Sequence, residues 1–165
     1  HSIPSPPTIM KKALEQSVEI HAPADAAYQQ WERFEDLPVI AHCLEEVEKI
    51  DDDALRWRAS IGGKEQKGEI EICERIPGKR LAWKSTSGLQ NAGVVTFHRL
   101  SDTRCKVMFQ ADFEPEGVVQ NLTAAIGLVN EQLATELNNF KAVVEQRFVE
   151  NQSEEPVRSM NGMRP

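Results

Sequence analysis

The sequence has few cysteines, no long apolar run and no excess of basic residues. Its three cysteines, Cys43, Cys73 and Cys105, lie far apart and form no CxxC pair. That pattern argues against a disulfide framework and suits reduced thiols in a cytoplasmic protein. No apolar run approaches the roughly 20 residues that span a bilayer, so we expect no membrane span. The net charge of −7 argues against a nucleic-acid partner, because phosphate binding needs a basic field.

The usual signatures of a metal site or an activated nucleophile are also missing. The histidines are isolated in the sequence and do not combine with the cysteines in a zinc-ligand spacing, so we predict no metal and no cofactor. No GxSxG motif occurs, and Ser85 and Ser87 have no histidine near them in the sequence. We therefore assign no catalytic residue, and we interpret Cys73 and Cys105 as packing thiols.

Two histidines need separate consideration, because histidine can act as a general acid or base near neutral pH. His98 is out of phase with the apolar Val95 and Phe97, so its side chain should point to solvent. His42 lies in a short segment that could frame the mouth of a cavity. We expect both histidines to be dispensable for any activity of the protein.

Composition divides the chain into one ordered domain and two polar ends. Residues 1–12 include three prolines and are expected to be a disordered arm or a remnant of cloning. Residues 13–149 are long enough to bury one core and form the predicted domain. Residues 150–165 are polar and contain proline and glycine, so we predict a disordered tail.

The first two thirds of the domain mostly alternate between apolar and polar residues, as half-buried strands do. A strand at 15–21 is followed by a short amphipathic helix after Pro23 and by a second helical piece at 39–44. From Val47 to Phe113 the period is two, which predicts an antiparallel meander. Its strands are separated by turns predicted at 51–53, 62–63, 77–78, 88–93 and 101–102.

The last element has a different period. An apolar stripe at steps of three and four predicts one continuous helix over 122–147. Leu128 is outside this stripe; we expect it to contact the N-terminal helices, with a role in partner binding as the alternative. The rest of the circumference is assigned to Glu131, Glu136, Lys141 and Glu145. The stripe consists of Leu122, Ile126, Val129, Leu133, Leu137, Phe140, Val144 and Phe148.

These elements predict an α+β fold in which a curved antiparallel sheet of six to seven strands wraps around the C-terminal helix. Such a sheet cannot close completely at both ends, so a cavity should form between sheet and helix. Apolar side chains on the inward strand faces and on the helix stripe would line it. These are Trp57, Ile70, Trp83, Phe97, Phe109, Val129, Leu133 and Leu137. A cavity that serves a ligand should reach about 300 Å³.

Several segments of the domain resemble one protein family. They are residues 57–77, which begin with WRASIGG, and residues 82–85, 91–97, 114–117 and 136–145. Over about residues 15–147 they resemble the polyketide cyclase/dehydrase-like branch of the START-like (SRPBCC, Bet v 1-like) superfamily. The resemblance implies the helix-grip fold. Gly68 occupies a position that often carries tryptophan in similar sequences, which implies a wider ligand pocket or a looser strand there.

The resemblance leaves three functions open, because this superfamily includes aromatic polyketide cyclases, lipid and hormone carriers and quinone-binding proteins. A carrier would bind an apolar or aromatic molecule, lipid or polyketide-like, and needs only a cavity with few polar groups. A cyclase or dehydratase needs an inward acid or base, and the strand phases place no group that titrates near neutral pH inside. The third alternative is a protein-interaction module. The sequence therefore favours a non-catalytic protein that binds an apolar small molecule.

Overall fold

The computed structural model describes residues 12–61, 63–114 and 122–163. The side chains of residues 14–61, 63–113 and 126–152 are described with them. Residues 1–11, most of the expected N-terminal arm, lie outside the described residues, as do Gly62 of the predicted 62–63 turn and residues 115–117 of the family resemblance.

The order of elements is one strand, short helices, six strands and one long helix. The strands are β1 (Lys12–Ile20), β2 (Leu44–Asp51), β3 (Ala54–Ile61), β4 (Lys64–Ile76), β5 (Arg80–Gly88), β6 (Gln90–Ser101) and β7 (Arg104–Glu114). The helices are α1 (Ala24–Glu32), α2 (Leu37–Ile40) and α3 (Leu122–Met163), with a 3-10 turn at Phe34–Asp36 before α2.

All seven strands form one antiparallel sheet in the order β1-β7-β6-β5-β4-β3-β2. β2 to β7 follow one another as hairpins, and β1 pairs with β7, with Val18 opposite Val107. The sheet curls around α3, and the short helices follow the first strand. The predicted fold class, a helix-grip domain with six to seven strands, is confirmed.

The core lies where α1 and the apolar stripe of α3 meet the inner face of the sheet. Leu137, Phe140 and Val144 of the stripe are buried. The ring of Trp31 in α1 packs edge-on against Phe140, with 5.1 Å between ring centroids. This packing fixes α3 over the sheet, and the helix predicted over 122–147 is confirmed.

The structure corrects two predicted boundaries between β1 and β6. The second helical piece is Leu37–Ile40 rather than 39–44. Pro38 is tolerated in its first turn, because the N–H that proline lacks would have no partner there. The 88–93 turn is shorter than predicted, since β6 already begins at Gln90. Gly88 has a φ of +79°, which permits the tight reversal.

The structure also corrects the end of α3. This helix continues to Met163, through the segment from residue 150 that composition assigned to a disordered tail. The segment includes Pro156 and Gly162, which disfavour a helix, together with glutamate, glutamine and arginine, which have high helix propensity. No helix among the described residues is long and apolar enough to cross a membrane.

Candidate functional site

A cavity of about 280 Å³ lies between the inner face of the sheet and α3. Strands β3 to β7, the segment from α2 to β2 and one face of α3 line it, mostly with apolar side chains. Its volume is slightly below the 300 Å³ expected, at the lower limit of ligand pockets. A void of about 150 Å³ in another protein holds benzene, so the space here suits a molecule of about two rings.

The structure brings seven of the nine predicted site residues together around this cavity. The helix residues among them are four positions apart, which puts them on one face of α3, while the strand residues share the inner face of the sheet. Trp31 of α1 also lines the cavity, so all three tryptophans of the chain border it. The seven residues are Trp57, Ile70, Trp83, Phe109, Val129, Leu133 and Leu137.

Gly68 does not line this cavity. It pairs with Trp57 on one side and with Gly88 on the other, where β4 and β5 approach closely. A Cβ at this position would lie 2.6 Å from the backbone oxygen of Ser87. The glycine therefore permits a close backbone approach and does not widen the pocket, which corrects the inference from the family resemblance.

Phe97 is also placed elsewhere. It is buried in the core beneath α1, where its ring packs edge-on against Tyr28 at 5.5 Å and Trp31 at 6.2 Å. Phe97 faces inward, as its position in β6 predicts, but α1 covers this part of the sheet. Inward parity therefore could not separate core residues from cavity residues.

The indole of Trp83 is held in one orientation by its neighbours. Its Nε1–H donates to Oδ1 of Asn91 at 2.9 Å, and Nδ2 of Asn91 donates to the Leu89 carbonyl at 2.9 Å. Gly93 lies opposite Trp83 in β6, where any Cβ would overlap the indole ring. The ring of Phe109 packs beside it at 5.5 Å. The indole in the cavity wall is therefore fixed by a hydrogen bond to Asn91, which also lines the cavity.

A buried carboxylate on α3 is the main feature that the strand and helix phases missed. Glu136 is only 8% exposed and lines the cavity. Its Oε2 accepts the backbone N–H of Cys43 at 2.8 Å and Nε2 of Gln132 at 3.3 Å, and its Oε1 accepts the Cys43 thiol at 3.0 Å. Glu136 follows Leu133 by three residues and precedes Phe140 by four, so helical spacing is compatible with a position beside the stripe, although its charge favours the polar circumference.

The same contact affects the protonation of the Cys43 thiol. Burial raises the pKa of its thiol to about 12, and the hydrogen bond to Glu136 acts in the same direction. The thiol is therefore protonated near neutral pH and serves as a donor. The assignment of Glu136 to the polar circumference of α3 is wrong, because its side chain is buried and lines the cavity.

The other five side chains singled out in the sequence lie at the surface, except for Cys105. Cys105 is buried and packs as expected, whereas Cys73 is exposed, since it alternates with the inward Ile72 on β4. Leu128 is 63% exposed, and its contact with the N-terminal helices stays a prediction. His42 and His98 are both exposed.

The fold and the cavity define the class of the protein as a START-like helix-grip domain. The family described as polyketide cyclase/dehydrase and lipid transport matches residues 20–160. The chain belongs to this family, as its sequence segments indicated.

Known proteins resemble the chain in sequence and in fold. An uncharacterized 17.2 kDa protein from the melC2-rnhH intergenic region of Streptomyces lincolnensis is 38% identical over 135 residues, covering 81% of this chain and 90% of that protein. A Deinococcus radiodurans protein of solved structure is 25% identical, with a TM-score of 0.65, covering 82% of this chain and 98% of that one. The Zhui aromatase/cyclase from Streptomyces sp. R1128 shares the fold, with a TM-score of 0.69 at 16% identity, over 83% of this chain and 95% of that one.

Proposed function

We propose that the protein binds an apolar or aromatic small molecule, lipid or polyketide-like, in the cavity between the sheet and α3. The observation that carries the proposal is the lining: three tryptophans and Phe109 border a space of about 280 Å³. Aromatic rings offer flat apolar surfaces on which a flat apolar molecule can stack. The family match supports the proposal, since its description names both polyketide chemistry and lipid transport.

The volume and the lining also limit the ligand. The cavity suits about two fused rings or a short acyl chain, and a longer lipid would have to extend through the opening. We expect the seven lining residues predicted from the sequence to contact the bound molecule. We assign no cofactor and no metal to this function, which needs only burial of apolar surface.

The test uses 2-methylnaphthalene, a two-ring probe without polar groups. Binding should change tryptophan fluorescence, because every tryptophan borders the cavity. It should also raise the melting temperature, since a hundredfold excess over the Kd stabilises the folded state by about 2.7 kcal/mol. The titration is repeated with Trp31→Phe to separate the signal of α1 from that of the sheet.

A filled cavity provides the control. Ala111 lines the cavity from β7, so Ala111→Phe should abolish both signals. Ala82 is half-buried on β5 and does not line the cavity, so Ala82→Phe should keep them. His42→Ala and His98→Ala should leave the affinity within a few-fold. If neither probe signal appears in the unmodified protein, the carrier function is wrong and the interaction-module alternative leads.

One observation favours a second function, a cyclase or dehydratase acting on a polyketide-like substrate. Glu136 supplies the inward acid or base that such an enzyme needs. An aromatic β-hydroxy ketone would lose one water to give the conjugated enone, and mass spectrometry detects that product. Turnover that is lost in Glu136→Gln and kept in Glu131→Gln would establish the enzyme; an unchanged substrate supports the carrier.

A further inference from the structure

The carboxylate of Glu136 is unusual among the acidic groups of the protein. It is buried and lines a cavity whose lining is mostly apolar. Among the described residues, no lysine, arginine or histidine nitrogen lies within 4.0 Å of it, whereas the acidic residues of the outer sheet face, such as Glu65 and Glu69, pair with arginines. Its partners are three donors without charge, two from Cys43 and one from Gln132.

The hydrogen bonds leave one acceptor position open. A carboxylate has about four lone-pair positions, and Cys43 and Gln132 occupy three of them, two on Oε2 and one on Oε1. The remaining position is on Oε1, in a residue that borders the cavity. Oε1 already accepts the Cys43 thiol, and a ligand hydroxyl would add a second hydrogen bond to this charged acceptor.

We propose that Glu136 is the specificity-determining anchor of the cavity and selects a flat apolar molecule that carries one hydroxyl group. This inference rests on the proposed function. A hydroxyl brings a single O–H, which matches the single open acceptor position. An ammonium group would bring three donors and a full charge into an apolar space, leaving donors unpaired.

Asp112 is the other carboxylate at the cavity, and its position argues against an equal role. It is only half-buried, near the end of β7. It also alternates with Ala111 and Phe113, which follow the inward phase of that strand. Glu136, in contrast, lies on the helix stripe between Leu133 and Phe140, so its carboxylate is positioned where an apolar ring would rest.

The test compares two probes of nearly equal size, 2-naphthol and 2-methylnaphthalene, by titration calorimetry near neutral pH. A hydrogen bond to a charged acceptor stabilises a complex by about 1.5–3 kcal/mol, so 2-naphthol should bind roughly 10- to 150-fold more tightly. In Glu136→Gln this preference should fall at least about fivefold, because the amide oxygen is needed by the Cys43 N–H. Affinity for 2-methylnaphthalene should change little, which separates anchoring from damage to the cavity.

Glu131→Gln is the matched control, since it makes the same change at an exposed position of the same helix and should keep the full preference. If Glu136→Gln does not fold, Glu136→Asp retains the charge but withdraws it by one methylene, and this variant must also lose the preference for 2-naphthol.

Equal affinity of the two probes for the unmodified protein would overturn the role of Glu136 as an anchor and leave the carrier function intact. Tighter binding of 2-naphthylmethylamine than of 2-naphthol would overturn the hydroxyl assignment, and binding of no probe would instead contradict the proposed function.

Discussion

Cys43 donates both its backbone N–H and its thiol to the carboxylate of Glu136, a residue 93 positions away in the sequence. The contact joins the segment between α2 and β2 to the middle of α3. It therefore closes one side of the cavity and orients its only well-buried carboxylate among the described side chains. A thiol in this role must stay protonated, because a thiolate beside a carboxylate would be repelled.

The thiol chemistry gives the first prediction. Burial raises the pKa of Cys43 to about 12 and that of Cys105 to about 11, and only the thiolate is a strong nucleophile. At mildly alkaline pH the native protein should therefore react rapidly with a disulfide reagent at Cys73 alone, which is exposed. All three thiols should react after unfolding.

The control for that measurement is Cys73→Ser, which should show no rapidly reacting thiol in the native state. A fast phase that persists in this variant would mean that Cys43 or Cys105 is accessible.

The raised pKa values of Cys43 and Cys105 also predict that the protein is less stable at high pH. Stability contributed by the two protonated thiols is complete below their ordinary pKa of 9.0 and is lost as the pH rises towards the folded values.

The second prediction tests the stripe of α3. Leu137 is 3% exposed and packs at the cavity, so Leu137→Asp should bury an unpaired charge and lower the free energy of unfolding by about 3–5 kcal/mol. Leu128 is 63% exposed on the same helix, and Leu128→Asp should have little effect. Urea unfolding of both variants measures the difference. Equal stabilities would show that the stripe is not the buried face.

The third prediction contrasts two glycines. A Cβ at Gly68 would lie 2.6 Å from the Ser87 carbonyl oxygen, whereas nothing lies within 4 Å of one at Gly127 in α3. Gly68→Ala should therefore destabilise the protein by about 1–3 kcal/mol through overpacking. Gly127→Ala should stabilise it by about 0.8–1 kcal/mol through helix propensity. Melting temperatures that move in the same direction would contradict this account of Gly68.

Most of the fold was predictable from local patterns, and the missed features depend on contacts distant in sequence. The predicted turns at 51–53 and 62–63 agree with the ends of β3, and the period of two predicted that Trp57 faces inward, because a half-buried strand imposes that period. Glu136 fits the helix stripe equally well, but a charged residue is normally solvated. Its burial requires the donors of Cys43, and helical periodicity contains no information about them.

The last relationship links the start of the domain to α3. Glu145 accepts the backbone N–H of His21 at 2.8 Å, lies 3.2 Å from Nδ1 of the same histidine, and accepts Nζ of Lys141 at 2.5 Å. His21 follows the last residue of β1. The Glu145 carboxylate therefore connects the C-terminal end of β1 to α3, one helical turn after Lys141.

Acid should weaken this connection. Partial burial alone would raise the pKa of Glu145, but the hydrogen bonds from His21 and Lys141 outweigh it and hold the pKa below its usual value of 4.5. A lowered pKa contributes stability above pH 4.5 that is lost as the pH falls through the folded value. Glu145→Gln should therefore cost about 1–2 kcal/mol near neutral pH, and the difference from the unmodified protein should shrink in acid. Glu131→Gln, at an exposed position of α3, should show neither effect; a cost for Glu145→Gln that is the same in acid and at neutral pH would mean that its charge does not stabilise the fold.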